Sequence, residues 1–326
     1  MASSDQLKLM HLSARMYYLE GRTQKEIAYE LDISRPKVSR LLSQARNEGI
    51  VTIAVHDPFA TVDVLAAVLR DKLGLSSVVI VPNEDGRQDQ IRRHLGRAVA
   101  RYLEMSIQKG DVVGIGWGRT LYETVLALNK SGDRDLTVIP LMGGLAQVSP
   151  SFQVHEMARR LSEQFGGRWM PFYVPAIVES DSILTSFLAS DDVKRVVDSW
   201  SELTSVIVGI GNIDLGPEVQ MLFVEYLDVD TRANLEQFRA VGDICMRFFD
   251  IQGKPIREGL PEVISIELEQ LNNVPRRIGV AGGREKAEAI LGAVRGGYVN
   301  VLITDETAAR RIIKLVELES QDSDEG

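Results

Sequence analysis

Apolar and polar positions in the first fifty residues alternate at helical spacing, in three short blocks. Leu9, Leu12, Met16 and Leu19 recur every three or four residues and predict an amphipathic helix over residues 6–20. Thr23 and Glu26 form a T-x-x-E capping box ahead of Ile27, Ala28 and Leu31, so a second helix starts near Gln24. A third begins after Ser34, which can cap it, with Pro36 in its first turn, where a missing N–H costs nothing. So few residues separate the second and third helices that they must cross closely, with the small Ala28 at the crossing and Val38 and Leu42 turned inward. The spacing is that of a helix-turn-helix. Asp32 stands where such turns often carry glycine, and Asp tolerates a left-handed backbone better than most residues. Gly49 ends the third helix, Val51–Val55 alternates like a short wing or exit strand, and His56-Asp57-Pro58 breaks the pattern as a linker.

A different rhythm follows. Val62–Leu73 reads as a helix, and Val/Ile-rich runs then recur at Val78–Val81, Val112–Ile115, Leu136–Leu141, Ser205–Ile210, Ile278–Ala281 and Val299–Ile303, with helical segments between several of them. Such runs predict strands buried on both faces, hence an α/β fold with a doubly wound, mainly parallel sheet. The expected organisation is a helix-turn-helix, winged-helix-like domain over residues 1–56, an effector-binding and oligomerisation domain over 57–316, and a disordered acidic tail over 317–326.

Composition narrows the setting. With 44% hydrophobic and 25% charged residues in 326, the chain is an ordinary globular protein with room for one small and one large domain. No apolar run approaches a membrane span and the N-terminus does not read as a signal peptide, so no membrane partner and a cytoplasmic location are expected. Cys245 is the sole cysteine, which excludes an intrachain disulfide and a cysteine-zinc cluster. Its expected role is a small buried apolar residue. The four histidines lack metal-ligand spacing, so neither a metal nor a cofactor is expected. Residues 1–50 carry eight Lys and Arg against six Asp and Glu, leaving −11 for the remainder of a chain whose net charge is −9. A weakly basic head on an acidic body fits a protein that reads DNA without binding it indiscriminately.

On the third helix, burying Val38, Leu41, Leu42 and Ala45 leaves Arg35, Lys37, Ser39, Arg40, Gln44 and Arg46 outside. Cations and hydrogen-bonding side chains are what phosphates and base edges require, and the N-terminal end of a recognition helix reaches the bases. The expected contact set is Ser34, Arg35, Lys37, Ser39 and Arg40, with Gln24 opening the preceding helix. A solvated charged face on a plain three-helix domain is the alternative. In the larger region, Gly114-Ile115-Gly116-Trp117-Gly118-Arg119-Thr120, Gly143-Gly144 and Ala281-Gly282-Gly283-Arg284-Glu285-Lys286-Ala287 each follow a strand. That is where ligands sit on parallel sheets. Glycines let backbone N–H groups approach an anion, and Arg119, Thr120 and Lys286 add donors, so a phosphorylated ligand fits; tight turns that need glycine for their own sake are the alternative.

With these motifs, together with Leu-Met-Gly-Gly, Val-Gly-Ile-Gly and Val-Gly-Asp-Ile-Cys-Met-Arg-Phe-Phe-Asp in order, the chain resembles the SorC family of bacterial sugar-responsive transcriptional regulators over residues 8–315. The resemblance implies a domain similar to sugar-phosphate isomerases that has become a sensor, operator DNA as one partner, a phosphorylated sugar or polyol as the other, and a homodimer or homotetramer. It implies that Gly118, Arg119 and Thr120 hold the phosphate with Lys286 assisting, and that Asp243 accepts hydrogen bonds from sugar hydroxyls. Gln147, Gln153 and His155 would belong to the pocket wall, and Gly116, Trp117, Gly143, Gly144, Gly282 and Gly283 to the effector-binding set. An isomerase or aldolase-like enzyme with an accessory DNA-binding head is the rival reading, with Lys286 or Asp243 as base or nucleophile. Against it stand the helix-turn-helix and the lack of a second acid/base group at convincing spacing. A dehydrogenase fails on pattern, since G-x-G-x-G is not G-x-G-x-x-G and lies at the wrong strand.

Overall fold

The computed structural model describes residues 4–47, 50–51, 60–83, 87–146, 149–213 and 229–324. The chain divides into two compact units, residues 1–57 and 58–326. Gly49, most of the expected wing strand, the His56-Asp57-Pro58 linker and Gln147 lie outside the described residues.

The first unit holds α1 (Ser4–Tyr18), α2 (Gln24–Glu30) and α3 (Arg35–Asn47). Thr23 caps α2: its hydroxyl accepts the Glu26 N–H while the Glu26 carboxylate accepts the Thr23 N–H at 2.8 Å. Asp32 takes the left-handed conformation at φ +51°, which lets the Ile33 N–H reach the Ala28 carbonyl at 3.0 Å and turns the chain into α3. Met10, Ala14, Met16, Ile27, Val38, Leu41, Leu42 and Ala45 make one core. The buried stripe of α1 therefore runs through Met10 and Ala14, with Leu9 and Leu12 at its flank. Leu19, expected inside, is 81% exposed because α1 ends one residue before it.

The second unit begins with α4 (Ala60–Leu73) and continues through β1 (Ser77–Val81), α5 (Gln88–Ser106), β2 (Val112–Ile115), α6 (Arg119–Ala127), β3 (Thr137–Pro140), α7 (Val154–Gln164), β4 (Arg168–Trp169), β5 (Ile177–Val178) and β6 (Ser205–Gly209). The strands β7 (Gly211–Asn212), β8 (Ala240–Ile244), β9 (Arg247–Asp250), β10 (Pro255–Ile256), β11 (Glu262–Val263), β12 (Arg276–Val280) and β13 (Val301–Asp305) complete it. Seven strands form one parallel sheet in the order β1-β13-β12-β6-β2-β3-β4. Every residue of β13 is buried, as a strand covered on both faces requires. Each predicted strand lies in this sheet within a residue or two of its expected bounds. An antiparallel four-stranded sheet, β10-β9-β8-β7, projects from the end of β6 and was not foreseen.

The acidic tail is a second departure. From Glu317 it continues the helix Glu306–Asp324 instead of being disordered, because Leu315 and Val316 are packed on the core and Arg295 pairs with Glu319. Among the described residues no helix is long and apolar enough to cross a membrane.

Helices α5 and α6 approach as closely as backbones allow at Gly96. A Cβ there would lie 2.7 Å from Glu123 Cβ and 2.8 Å from its carbonyl carbon. Gly96→Ala is expected to destabilise the second unit by about 1–3 kcal/mol, the usual cost of overpacking, measured by urea unfolding. An unchanged midpoint and slope would contradict this contact.

Candidate functional site

The carboxyl ends of β2, β6 and β12 meet at one edge of the parallel sheet, and the β8–β9 hairpin folds over them. Ile115 leads into Gly116, whose N–H is held by the Ile207 carbonyl at 2.9 Å. Gly118 follows at φ +153°, with nothing within 4 Å of where a Cβ would stand, and α6 starts there without a side-chain cap. The positive end of the α6 dipole therefore lies at this open turn, beside Arg119 and Thr120. Trp117 fixes the loop from its other side: its ring N–H donates to the Phe152 carbonyl at 2.9 Å, and the two rings pack edge to face at 5.1 Å.

The other two glycine turns owe their glycines to packing. A Cβ on Gly143 would stand 2.5 Å from the Pro175 carbonyl, and the N–H groups of Gly143 and Gly144 are already committed to the carbonyls of Ile264 and Val174 at 2.9 and 2.8 Å. Those two N–H groups serve a backbone crossing. Gln153 braces the same loop, donating to the Leu145 carbonyl at 2.6 Å and accepting the Leu145 N–H at 3.1 Å. Gly282 has no room for a side chain against Leu95 and Ile91, and the Gly283 N–H, at φ +100°, donates to the buried Asp305 carboxylate at 2.7 Å. Asp305 also accepts from Asn83 at 2.9 Å and from Thr307, tying this turn to β1 and to the start of Glu306–Asp324.

Lys286 and Asp243 lie within electrostatic reach of each other behind these turns. The Lys286 ammonium donates to the Ile210 carbonyl at 3.0 Å, and burial pulls its pKa down to about 8, a fall that the Asp243 charge opposes. Burial pushes the Asp243 carboxyl upward, against the Lys286 charge and a 3.1 Å hydrogen bond from the Met246 N–H. Gly211, opposite Asp243 in the β7–β8 ladder, makes the room: a Cβ there would fall 1.7 Å from Asp243 Oδ1.

The hairpin that carries Asp243 turns through Cys245 and Met246, both left-handed at φ +51° and +65°. Such a two-residue turn favours Asn-Gly, and non-glycine residues there cost about 1–2 kcal/mol each. That strain sets the Cys245 thiol against the glycine loop, 3.0 Å from a Cβ on Gly116, where it accepts the Trp117 backbone N–H. Burial and the Asp243 charge push the thiol pKa up to about 12, so it stays protonated. The sequence marked Cys245 as a small buried residue but gave no sign that it seats this loop.

Two cavities of about 420 Å³ flank residues 145–153. One takes Arg119 together with Arg92 and Arg93 of α5, neither of which the sequence singled out. The other contains His155, Gln153 and Gly144; the His155 Nδ1 is buried with no hydrogen-bond partner, and burial lowers its pKa.

In the first unit, Arg35, Lys37, Ser39 and Arg40 are all exposed on α3, Ser34 is exposed just before it, and Gln24 is half-buried at the start of α2. No ion-pair partner among the described residues neutralises Arg35, Lys37 or Arg40.

The Sugar-bind family of sugar-binding domains matches residues 57–314, and sigma-70 region 4 matches residues 15–48. The chain belongs to the SorC family of transcriptional regulators. The deoxyribonucleoside regulator of Bacillus subtilis (strain 168) is 33% identical over 92% of this chain and 96% of its own length. The sorbitol operon regulator of Klebsiella pneumoniae is 29% identical over 96% of this chain and 100% of its own. The crystal structure of full-length SorC from Klebsiella pneumoniae superposes with a TM-score of 0.74 at 28% identity, over 95% of this chain and 100% of that one. This SorC-family chain is a DNA-binding regulator with a sugar-binding domain, and not an enzyme.

The regulator's Asp305 carries a further expectation. Asp305→Ala removes the acceptor of the Gly283 N–H and of the N–H and hydroxyl of Thr307, and a buried donor left without one costs about 1–3 kcal/mol. A loss of about 3 kcal/mol in urea unfolding is expected; a loss below 1 kcal/mol would show that Asp305 does not hold the turn.

Proposed function

We propose that the effector of this regulator is a phosphorylated sugar or polyol, held where α6 begins. The observation that carries the reading is the open turn at Gly118 where α6 begins, with no atom within 4 Å of a Cβ position, flanked by Arg119 and within electrostatic reach of Lys286. A positive helix end, room at the glycine turn and two cations suit a phosphate dianion. Gly116, Gly118, Arg119 and Thr120 bind the phosphate, with Lys286 assisting. Asp243, whose carboxyl oxygens can accept hydrogen bonds, takes the sugar hydroxyls. Trp117, Gly282 and Gly283 shape the pocket from behind, and Gly143, Gly144, Gln147 and Gln153 form its wall. The names of the two relatives, a deoxyribonucleoside regulator and a sorbitol operon regulator, support an effector of the sugar and polyol class and a carbohydrate operon as the target.

On the DNA side, Arg35, Lys37 and Arg40 contact phosphates and base edges from α3, helped by Ser34, Ser39 and Gln24. A homodimer or homotetramer places several such helices on repeated half-sites. The effector changes operator affinity through its differential affinity for two arrangements of the assembly.

Arg40→Ala is expected to weaken operator binding and to reduce the slope of log affinity against log salt by about one unit, while ligand binding is unchanged. Gel-shift titration over a salt series checks this; unchanged affinity in Arg35, Lys37 and Arg40 variants alike would remove α3 from the interface.

Effector affinity should also depend on pH. Because the Lys286 pKa is depressed to about 8, its ammonium is present at pH 7 and is lost as pH rises through 8, and with it a contact to the phosphate. Affinity by calorimetry is expected to fall toward tenfold per pH unit above 8, with proton uptake on binding, and Lys286→Arg should flatten the profile. A flat wild-type profile between pH 7 and 9.5 would take Lys286 out of phosphate binding.

A further inference from the structure

The cavity between α5, α6 and residues 149–152 has no part in the account so far, and the backbone builds it in a definite way. Gly96 of α5 lies on Glu123 of α6. Arg92 and Arg93 stand one turn before Gly96, and Arg119 one turn before Glu123, so the crossing gathers three guanidinium groups at the N-terminal ends of both helices. Both helices bring the positive end of a helix dipole to this side. Ser149, Ser151 and Phe152 complete the lining, with Phe152 tied to the glycine loop through the Trp117 ring N–H. Three arginines here face two carboxylates, Asp89 and Glu123, and Asp89 is ion-paired with Arg92.

We propose that this cavity is a second anion subsite of the effector pocket, in which Arg92, Arg93 and Arg119 hold a second acidic group of the effector. The assignment rests on the phosphate reading of the Gly118 loop and narrows it: the effector carries two acidic groups, the second a phosphate or a carboxylate. Planar guanidinium groups match either in a bidentate way, and Arg92 exchanges Asp89 for the ligand on binding. The two subsites share Arg119, which opens α6 and also lines the cavity.

Equilibrium dialysis of the full chain against inorganic phosphate tests this. Wild type is expected to bind two phosphates per chain. Arg92→Gln with Arg93→Gln should weaken one of them by roughly tenfold or more, and Lys286→Met the other. Arg93→Gln alone, an exposed substitution that leaves the fold untouched, should give an intermediate loss at the same site. A single phosphate lost in Lys286→Met but kept in the double variant would overturn the subsite and leave the phosphate reading standing. One lost only in the double variant would keep the cavity and overturn the placement at Gly118. No bound phosphate would overturn both. Displacement of the second phosphate by acetate, or only by methyl phosphate, decides between carboxylate and phosphate as its natural occupant.

Discussion

Two opposite charges withdrawn from water, the Lys286 ammonium and the Asp243 carboxylate, set the terms for everything around them. Burial disfavours both charged forms, and each is sustained in part by the other. Removing one leaves its partner buried and uncompensated, which is far more costly than losing an exposed pair. The fold supplies the remaining support: a main-chain carbonyl of Ile210 for the lysine, the Met246 N–H for the aspartate, and a glycine at position 211 where any side chain would collide. Charges maintained at such cost and set at the carboxyl edge of a parallel sheet support the proposed effector site.

The strained Cys245-Met246 turn belongs to the same arrangement. It delivers Asp243 to the sheet edge and presses the thiol against Gly116, so the carboxylate and the glycine loop are mechanically joined. On the opposite side Trp117 joins that loop to Phe152 and thence to residues 145–153, which wall off both cavities. A ligand that draws on Asp243 and on the start of α6 therefore acts on one connected set of backbone segments.

Much of this was legible in the sequence. The helix-turn-helix could be read because its signals are local: a capping box at Thr23 and Glu26, a short turn through Asp32, and an apolar stripe through Val38, Leu42 and Ala45. The parallel strands announced themselves as β-branched runs because both of their faces are buried. The β7–β10 sheet did not, since β7 is two residues long and its hairpin turns through Cys-Met, residues that carry no turn signal. The acidic tail was misjudged because composition conceals an apolar pair, Leu315 and Val316, and a long-range ion pair. Glycine turns were the most ambiguous. Nothing in the residues alone separates Gly118, with open space before it, from Gly143, which is closed in by Pro175. Arg92 and Arg93 escaped notice because only the crossing at Gly96 brings them to Arg119.

The claim on which the rest depends is that the pocket at the start of α6 recognises a phosphate. A thermal-shift screen of the full chain against matched phosphorylated and free sugars and polyols measures it most directly. A phosphorylated compound at a hundred times its dissociation constant should stabilise the folded chain by about 2.7 kcal/mol while its free counterpart leaves the midpoint unmoved. Equal or greater stabilisation by the unphosphorylated sugars would contradict the account.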